Sequence, residues 1–215
     1  MKRLILILSI AFVVSEAMSQ YIVIHKNDGG KNVELAISYI DSITIVDVEM
    51  VDLGLPSGLK WASCNVGALS PEGIGYKFLW GATSPTATDF PYTEKSSLPL
   101  ENDAAYVNWG SDWRMPTRTE FQELLDECTW VYDTFNEING YTVTGPNGNC
   151  IFLPTTSLRY FSRTYSRYTT PSSFAPNIHF YCLNISSSEY YISEGYTYIY
   201  STSNGSGYIR AVSEK

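Results

Sequence analysis

The strongest constraint in this sequence is a helix that announces its own beginning. Thr117 and Glu120 stand in the Thr-x-x-Glu arrangement of a capping box. In that box the threonine hydroxyl accepts from the backbone N–H of Glu120, and the glutamate reaches back to the N–H of Thr117. Pro116 disfavours a helical conformation at Met115, so the start is sharp. Phe121, Leu124, Leu125 and Cys128 then recur at i, i+3, i+4 and i+7, while Gln122, Glu123, Asp126 and Glu127 lie off that face. The pattern predicts an amphipathic helix over 117–128, buried on one side. Three of the five tryptophans fall between Asn108 and Trp130, around this helix.

The N-terminus reads as a secretion signal. Lys2 and Arg3 precede an apolar run from Leu4 to Val14, and Ala17-Met18-Ser19 offers small residues before a cut. The run is short for a membrane span, with an uncleaved anchor as the alternative. No cysteine near the cut suggests a lipid anchor, and no other stretch could cross a bilayer as a helix. The expectation is export to the periplasm, the cell surface or the medium. Removing Lys2, Arg3 and Glu16 takes basic residues from 14 to 12 and acidic residues from 22 to 21, so the formal charge goes from −8 to −9. Such a balance argues against a nucleic-acid partner and weighs against sulfated polysaccharides, unless a local basic patch exists.

Three regions follow: a signal at 1–19, a small β-module at 20–48 and a main domain at 49–215. In the module, Tyr21 to Lys26 and Val33 to Ile37 read as strands around the turn Asn27-Asp-Gly-Gly30, with Ile43 to Val46 as a third strand. Asp41-Ser42-Ile43 resembles the Asp-Ser/Thr-aliphatic O-glycosylation site of exported Bacteroidetes proteins, and a turn entering a strand is the plainer reading. In the main domain, Leu59 to Cys64 predicts a strand with Trp61 inward, and Tyr76 to Trp80 another. Residues 82–105 show no periodicity and predict a long surface loop. Trp130 to Asn139 reads as a connection. Tyr141 to Thr144 and Cys150 to Leu153 flank the turn Gly145-Pro-Asn-Gly148 as a hairpin. Phe180 to Ile185, Tyr196 to Tyr200 and Tyr208 to Val212 are strand-like within a tyrosine-, serine- and asparagine-rich last third.

Several of these segments carry a resemblance. Trp113-Arg-Met-Pro-Thr117 with the acidic and aromatic residues after it is similar to a motif of the Fibrobacter succinogenes major paralogous domain family. So are Val51-Asp-Leu-Gly-Leu-Pro-Ser-Gly-Leu-Lys-Trp-Ala-Ser-Cys-Asn-Val-Gly-Ala68 and Phe78-Leu-Trp-Gly81. Asn139-Gly-Tyr-Thr-Val143, Ile151-Phe-Leu-Pro154 and Ile209-Arg-Ala-Val212 match as well. The resemblance spans Val51 to Ser213. It implies an α+β, C-type-lectin-like fold, related to formylglycine-generating enzymes, with short antiparallel strands. The family has no single established activity, and fold alone is a weak guide to chemistry.

Four cysteines follow the signal, and an even number in an exported chain suggests disulfides. Three pairings are open. The expected one joins Cys64 to Cys128, both in family-like motifs, and Cys150 to Cys182, both on strand-like runs. Free buried thiols are the alternative. No Cys-x-x-Cys or neighbouring histidine suggests zinc.

No catalytic motif is present. His25 and His179 read as structural or surface residues. The late cysteines lack the surroundings that formylglycine-generating enzymes require, and Trp109-Gly-Ser-Asp-Trp113 is not the calcium-lectin strand motif. Asp103, Asp112 and Asp126 could be calcium ligands, but a solvated acidic surface is the expectation. Glu120 belongs to the cap, and Glu123 and Glu127 to the solvent face. No metal and no cofactor is expected. The candidate ligand site is Arg159, Arg163, Tyr165, Arg167 and Tyr168, where arginines recur every four residues among tyrosines. It reads either as an anion- or glycan-binding loop or as arginine stems packed on tyrosine faces. The sequence therefore points to an exported, non-enzymatic binding protein for carbohydrate or extracellular protein. A subunit of a surface assembly is the second reading, and a formylglycine-generating-enzyme-like catalyst the third.

Overall fold

The computed structural model describes residues 21–24, 33–36, 48–87, 98–155, 158–168, 177–197 and 206–215. The chain divides into two compact units, Met1–Ile45 and Val46–Lys215. In the first, β1 (Tyr21–Ile24) pairs antiparallel with β2 (Val33–Ala36), Tyr21 opposite Ala36 and Ile24 opposite Val33. The secretion signal, His25, the Asn27–Gly30 turn, the Asp41–Ile43 motif and the Ile43–Val46 strand lie outside the described residues.

The second unit is mixed α and β, with short antiparallel strands and two helices among its described residues. One sheet has the order β13 (Arg210–Ser213), β4 (Lys60–Asn65), β3 (Met50–Asp52). A second runs β6 (Thr129–Phe135), β7 (Ile138–Thr144), β8 (Cys150–Pro154). A third runs β9 (Leu158–Tyr168), β10 (Asn177–Ile185), β11 (Tyr190–Thr197). β5 (Phe78–Leu79) pairs with β12 (Ser206–Gly207). The expected hairpin across Gly145–Gly148 is present, closed by Gly148 N–H donating to the Gly145 carbonyl at 3.0 Å.

Helix α2 (Arg118–Glu127) begins as its sequence dictates, with Thr117 as N-cap and both hydrogen bonds of the capping box made. Phe121 and Leu124 are buried. Glu123 is not simply solvated: it accepts from the Ser57 N–H at 2.8 Å and the Ser57 hydroxyl at 2.6 Å, fastening the Pro56-Ser57 turn to the helix.

Two apolar clusters fill the unit. One contains Trp80, Trp113, Met115, Phe161, Tyr165 and Phe180, the other Trp61, Phe121, Leu124, Tyr141, Tyr160 and Leu183. Chain neighbours fall on opposite sides: Trp61 and Ala62, Tyr160 and Phe161, Cys182 and Leu183, Ala211 and Val212. Successive side chains of a strand point to opposite faces, so β4, β9, β10 and β13 run between the clusters. For that reason these strands lack clean polar alternation, and each large buried side chain contributes about 1.5–3 kcal/mol of transfer free energy. Arg210 is buried, and among the described residues no carboxylate pairs with it. Nε donates to Asn65 Oδ1 at 2.8 Å, Nη1 to the Ala62 and Ser63 carbonyls at 2.9 and 2.8 Å, and Nη2 to the Phe152 carbonyl at 2.8 Å.

Three expectations are corrected. The four cysteines are free thiols: Cys64 and Cys182 are buried, Cys128 half-buried and Cys150 exposed. Each expected pair would join a buried sulfur to one nearer the surface. Cys64 Sγ lies 3.8 Å from the Ala68 carbonyl, and Cys182 Sγ 3.7 Å from that of Ser193. Residues 82–105 are not all loop. Leu98 is buried, a 3-10 turn covers Leu100–Asn102, and α1 (Ala104–Trp109) brings Ala104 and Ala105 into the core. Finally, Trp130–Asn139 is not a connection. It contributes most of β6 and a tight turn at Asn136 and Glu137, whose φ angles are +47° and +67°. Asn-Gly usually signals such a turn; a glutamate in the left-handed region hid it.

Candidate functional site

The expected arginine–tyrosine loop is a strand. Arg159, Arg163, Tyr165, Arg167 and Tyr168 all lie on β9. Arg159, Tyr165, Arg167 and Tyr168 stand opposite Asn184, Phe180, Ile178 and Asn177. The register shifts between Phe180 and Cys182, which leaves Arg163 at an irregularity. Its side chain, 14% exposed, turns onto the protein. Nη2 donates to the Leu98 carbonyl at 2.9 Å, and Nη1 stands 4.0 Å from Asp103 Oδ2. Tyr165 is buried, edge-on to Trp80 with ring centroids 5.1 Å apart. Arg163 and Tyr165 thus pack inward, and the five residues do not form one open site.

Beside Arg163 lies a cleft of about 480 Å³, bordered by Tyr106, Asp112, Trp113, Arg114 and Lys215. Its charges are matched internally. Arg114 donates to both Glu120 oxygens at 2.8 Å and to Glu214 at 2.9 Å, which holds its guanidinium well above its ordinary pKa. Lys215 pairs with Asp112. Asp103, expected on a solvated surface, is buried as the N-cap of α1. It accepts from the N–H groups of Ala105, Tyr106 and Met115. Asp126 accepts from Gln122 at 2.8 Å. The three aspartates therefore serve three separate structural contacts. Among the described residues no group of three or more His, Cys, Asp or Glu side chains is arranged to hold a metal ion.

The surface chemistry is concentrated elsewhere, where edge strands β6 and β11 meet. Trp130 and Tyr190 stack with ring centroids 4.5 Å apart and planes 18° from parallel. Tyr141 packs edge-on to both, at 5.8 Å from Trp130 and 5.2 Å from Tyr190. Tyr132 stands edge-on to Tyr141 at 5.3 Å. Trp130 and Tyr132 are two apart on one strand and share a face. That face is also the inner one: Trp130 lies opposite buried Val143, and Tyr132 opposite buried Tyr141. The rings are therefore the second apolar cluster continued to its rim. Trp130 is anchored by Nε1 donating to the Leu124 carbonyl at 3.1 Å. Tyr132 and Tyr190 keep 42% and 37% of their surface exposed, and Tyr191 keeps 48%. Burial pushes the Tyr141 phenol pKa up, helped by Tyr190, Tyr132 and the Glu189 carboxylate.

Sequence reasoning missed β6 as a strand. Its residues are β-branched or aromatic at nearly every position, Thr-Trp-Val-Tyr-Asp-Thr-Phe, which is itself a strand signal. Both its faces are largely exposed, so no polar alternation marks it.

No family model, characterised protein or solved structure matches this chain. No helix among the described residues is long and apolar enough to cross a membrane.

Proposed function

We propose that this chain is an exported, non-enzymatic binding protein that recognises carbohydrate through the Trp130–Tyr190 surface, on a C-type-lectin-like scaffold of the major paralogous domain type. The observation that carries the reading is the ring cluster at the surface, in which exposed Tyr132 and Tyr190 pack around half-buried Trp130 and buried Tyr141 on strands β6, β7 and β11. Aromatic rings with a buried side and a wet side offer flat contact area at low entropic cost, and tyrosine hydroxyls add hydrogen bonds at the rim. Pyranose rings present both an apolar face and hydroxyls to such a surface. The alternative of a subunit in a surface assembly is favoured by one feature: Val131 and Phe135 are also exposed on the edge strand β6, which could pair with another chain.

A glycan-binding screen of the full exported chain tests the reading, with Tyr190→Ala and Tyr132→Ala beside the wild type. Saturable binding lost in both variants, with unchanged circular dichroism, supports it. A folded protein that binds no glycan but self-associates supports the assembly reading instead.

A further inference from the structure

The chain segments that build the ring cluster carry charge of one sign. Between Arg118 and Arg159 the chain has no lysine or arginine, and between Arg167 and Arg210 again none. These two stretches supply most of α2, all of β6, β7 and β8, and all of β10 and β11. They supply every ring of the cluster. They do contain carboxylates, among them Glu127, Asp133, Glu137 and Glu189. Glu189 directly precedes Tyr190, and its charge is felt at Tyr141. Neither Glu127 nor Glu189 forms an ion pair among the described residues. Of the arginines that flank these stretches, Arg163 faces Leu98 and Asp103, Arg118 lies over the Tyr181 ring at 5.0 Å, and Arg159 stands opposite Asn184 on β10.

We infer that the Trp130–Tyr190 surface selects cationic glycans, meaning amino-sugar chains that carry free ammonium groups, over neutral and anionic ones. The inference rests on the glycan reading above and adds the charge of the ligand. Two effects favour an ammonium there. The faces of tyrosine and tryptophan attract a cation through the ring quadrupole, by about 0.5–1 kcal/mol at exposed sites. The carboxylates of these segments, which carry no lysine or arginine, add a long-range attraction that salt screens over about 10 Å at 0.1 M ionic strength. A sulfate or uronate meets the opposite field.

The test is calorimetric titration of the full chain at mildly acidic pH with three oligosaccharides of equal length. These are a β-linked N-acetylglucosamine oligomer, the same oligomer freed of its acetyl groups, and a sulfated oligomer. The free amine form binds about twofold to fivefold tighter than the acetylated form at low salt, in line with the cation–ring attraction. The difference shrinks at high salt and in Glu189→Gln, while the acetylated form keeps its affinity in that variant. Equal affinity for the amine and acetylated forms, or tighter binding of the sulfated one, overturns the charge selection and leaves the glycan reading standing. Binding of an oligolysine peptide with no binding of any oligosaccharide overturns both.

Discussion

The Asp103 carboxylate holds the backbone N–H of Met115 between its two oxygens, at 3.1 and 2.9 Å. The same carboxylate caps α1 by accepting from Ala105 and Tyr106 at 3.1 and 3.2 Å. One buried acid therefore ties the short helix to the segment that launches α2. Asp103→Ala should lower stability by about 1–3 kcal/mol, since a cap is lost and buried N–H groups are left unmet. Urea denaturation measures this, and an unchanged midpoint would refute it.

Asp103 also sets a pH dependence. Burial outweighs its N–H partners and the Arg163 charge, so its carboxyl pKa is raised above the ordinary 3.8. The folded state then keeps this proton to higher pH than the unfolded state. The contribution of this group to stability is greatest below 3.8 and declines as pH rises through the elevated pKa. Asp103→Ala removes that slope. The gap between the melting temperatures of the two proteins should be widest in acid and narrow, without closing, towards neutral pH.

Among the described residues Arg210 meets four oxygen acceptors and no acid. A lysine has three donors on one nitrogen and cannot reach all four. Arg210→Lys should cost about 2 kcal/mol or more, because at least one buried acceptor is left unmet. A urea midpoint equal to wild type would show that the guanidinium fork is dispensable.

Free thiols predict an order of alkylation. Cys150 is exposed and should be labelled first in the native protein. Cys128 should lag: its thiol pKa is pushed up to about 11 by burial and by the Glu127 and Glu123 charges, and the thiolate is the reactive form. Cys64 and Cys182, buried and with raised thiol pKa values, should react only on unfolding. Mass spectrometry after iodoacetamide treatment reads the order. Reductant should leave the melting temperature unchanged.

The β6–β7 turn can be improved. Glu137 at φ +67° holds a conformation that favours glycine, beside Asn136 at +47°. Glu137→Gly creates the Asn-Gly pair suited to this hairpin and should raise stability by about 0.5 kcal/mol, the relief of strain exceeding the added chain entropy. A lower urea midpoint would contradict the turn geometry.

Tyr190→Ala and Tyr132→Ala should each weaken glycan binding by about fivefold to tenfold, since each removes one exposed aromatic contact of about 1 kcal/mol. Arg163→Ala should destabilise the fold rather than alter ligand affinity, because its guanidinium faces Leu98 and Asp103. Binding and melting measurements on the same preparations separate the two effects.

The capped helix was legible because its instructions are local. Thr117, Glu120 and the Phe121–Leu124 spacing act within one turn or two, and the structure obeys them. The Gly145–Gly148 hairpin was legible for the same reason. The fate of β9 was not. Whether Arg163 and Tyr165 face solvent or core depends on Trp80, Leu98 and Asp103, which only the tertiary fold brings against them. Asp103 itself looked like surface because charged residues usually are; three N–H groups from two chain segments make its burial tolerable. The aromatic surface was equally a tertiary product. Trp130 and Tyr190 belong to different sheets, and their contact depends on how those sheets close around Tyr141. The sequence by itself determined elements whose signals lie within a few residues, together with the one-signed charge of the segments that carry the rings. Only the tertiary structure decided which aromatics became core and which became surface, because that choice is made by contacts between residues far apart in the chain.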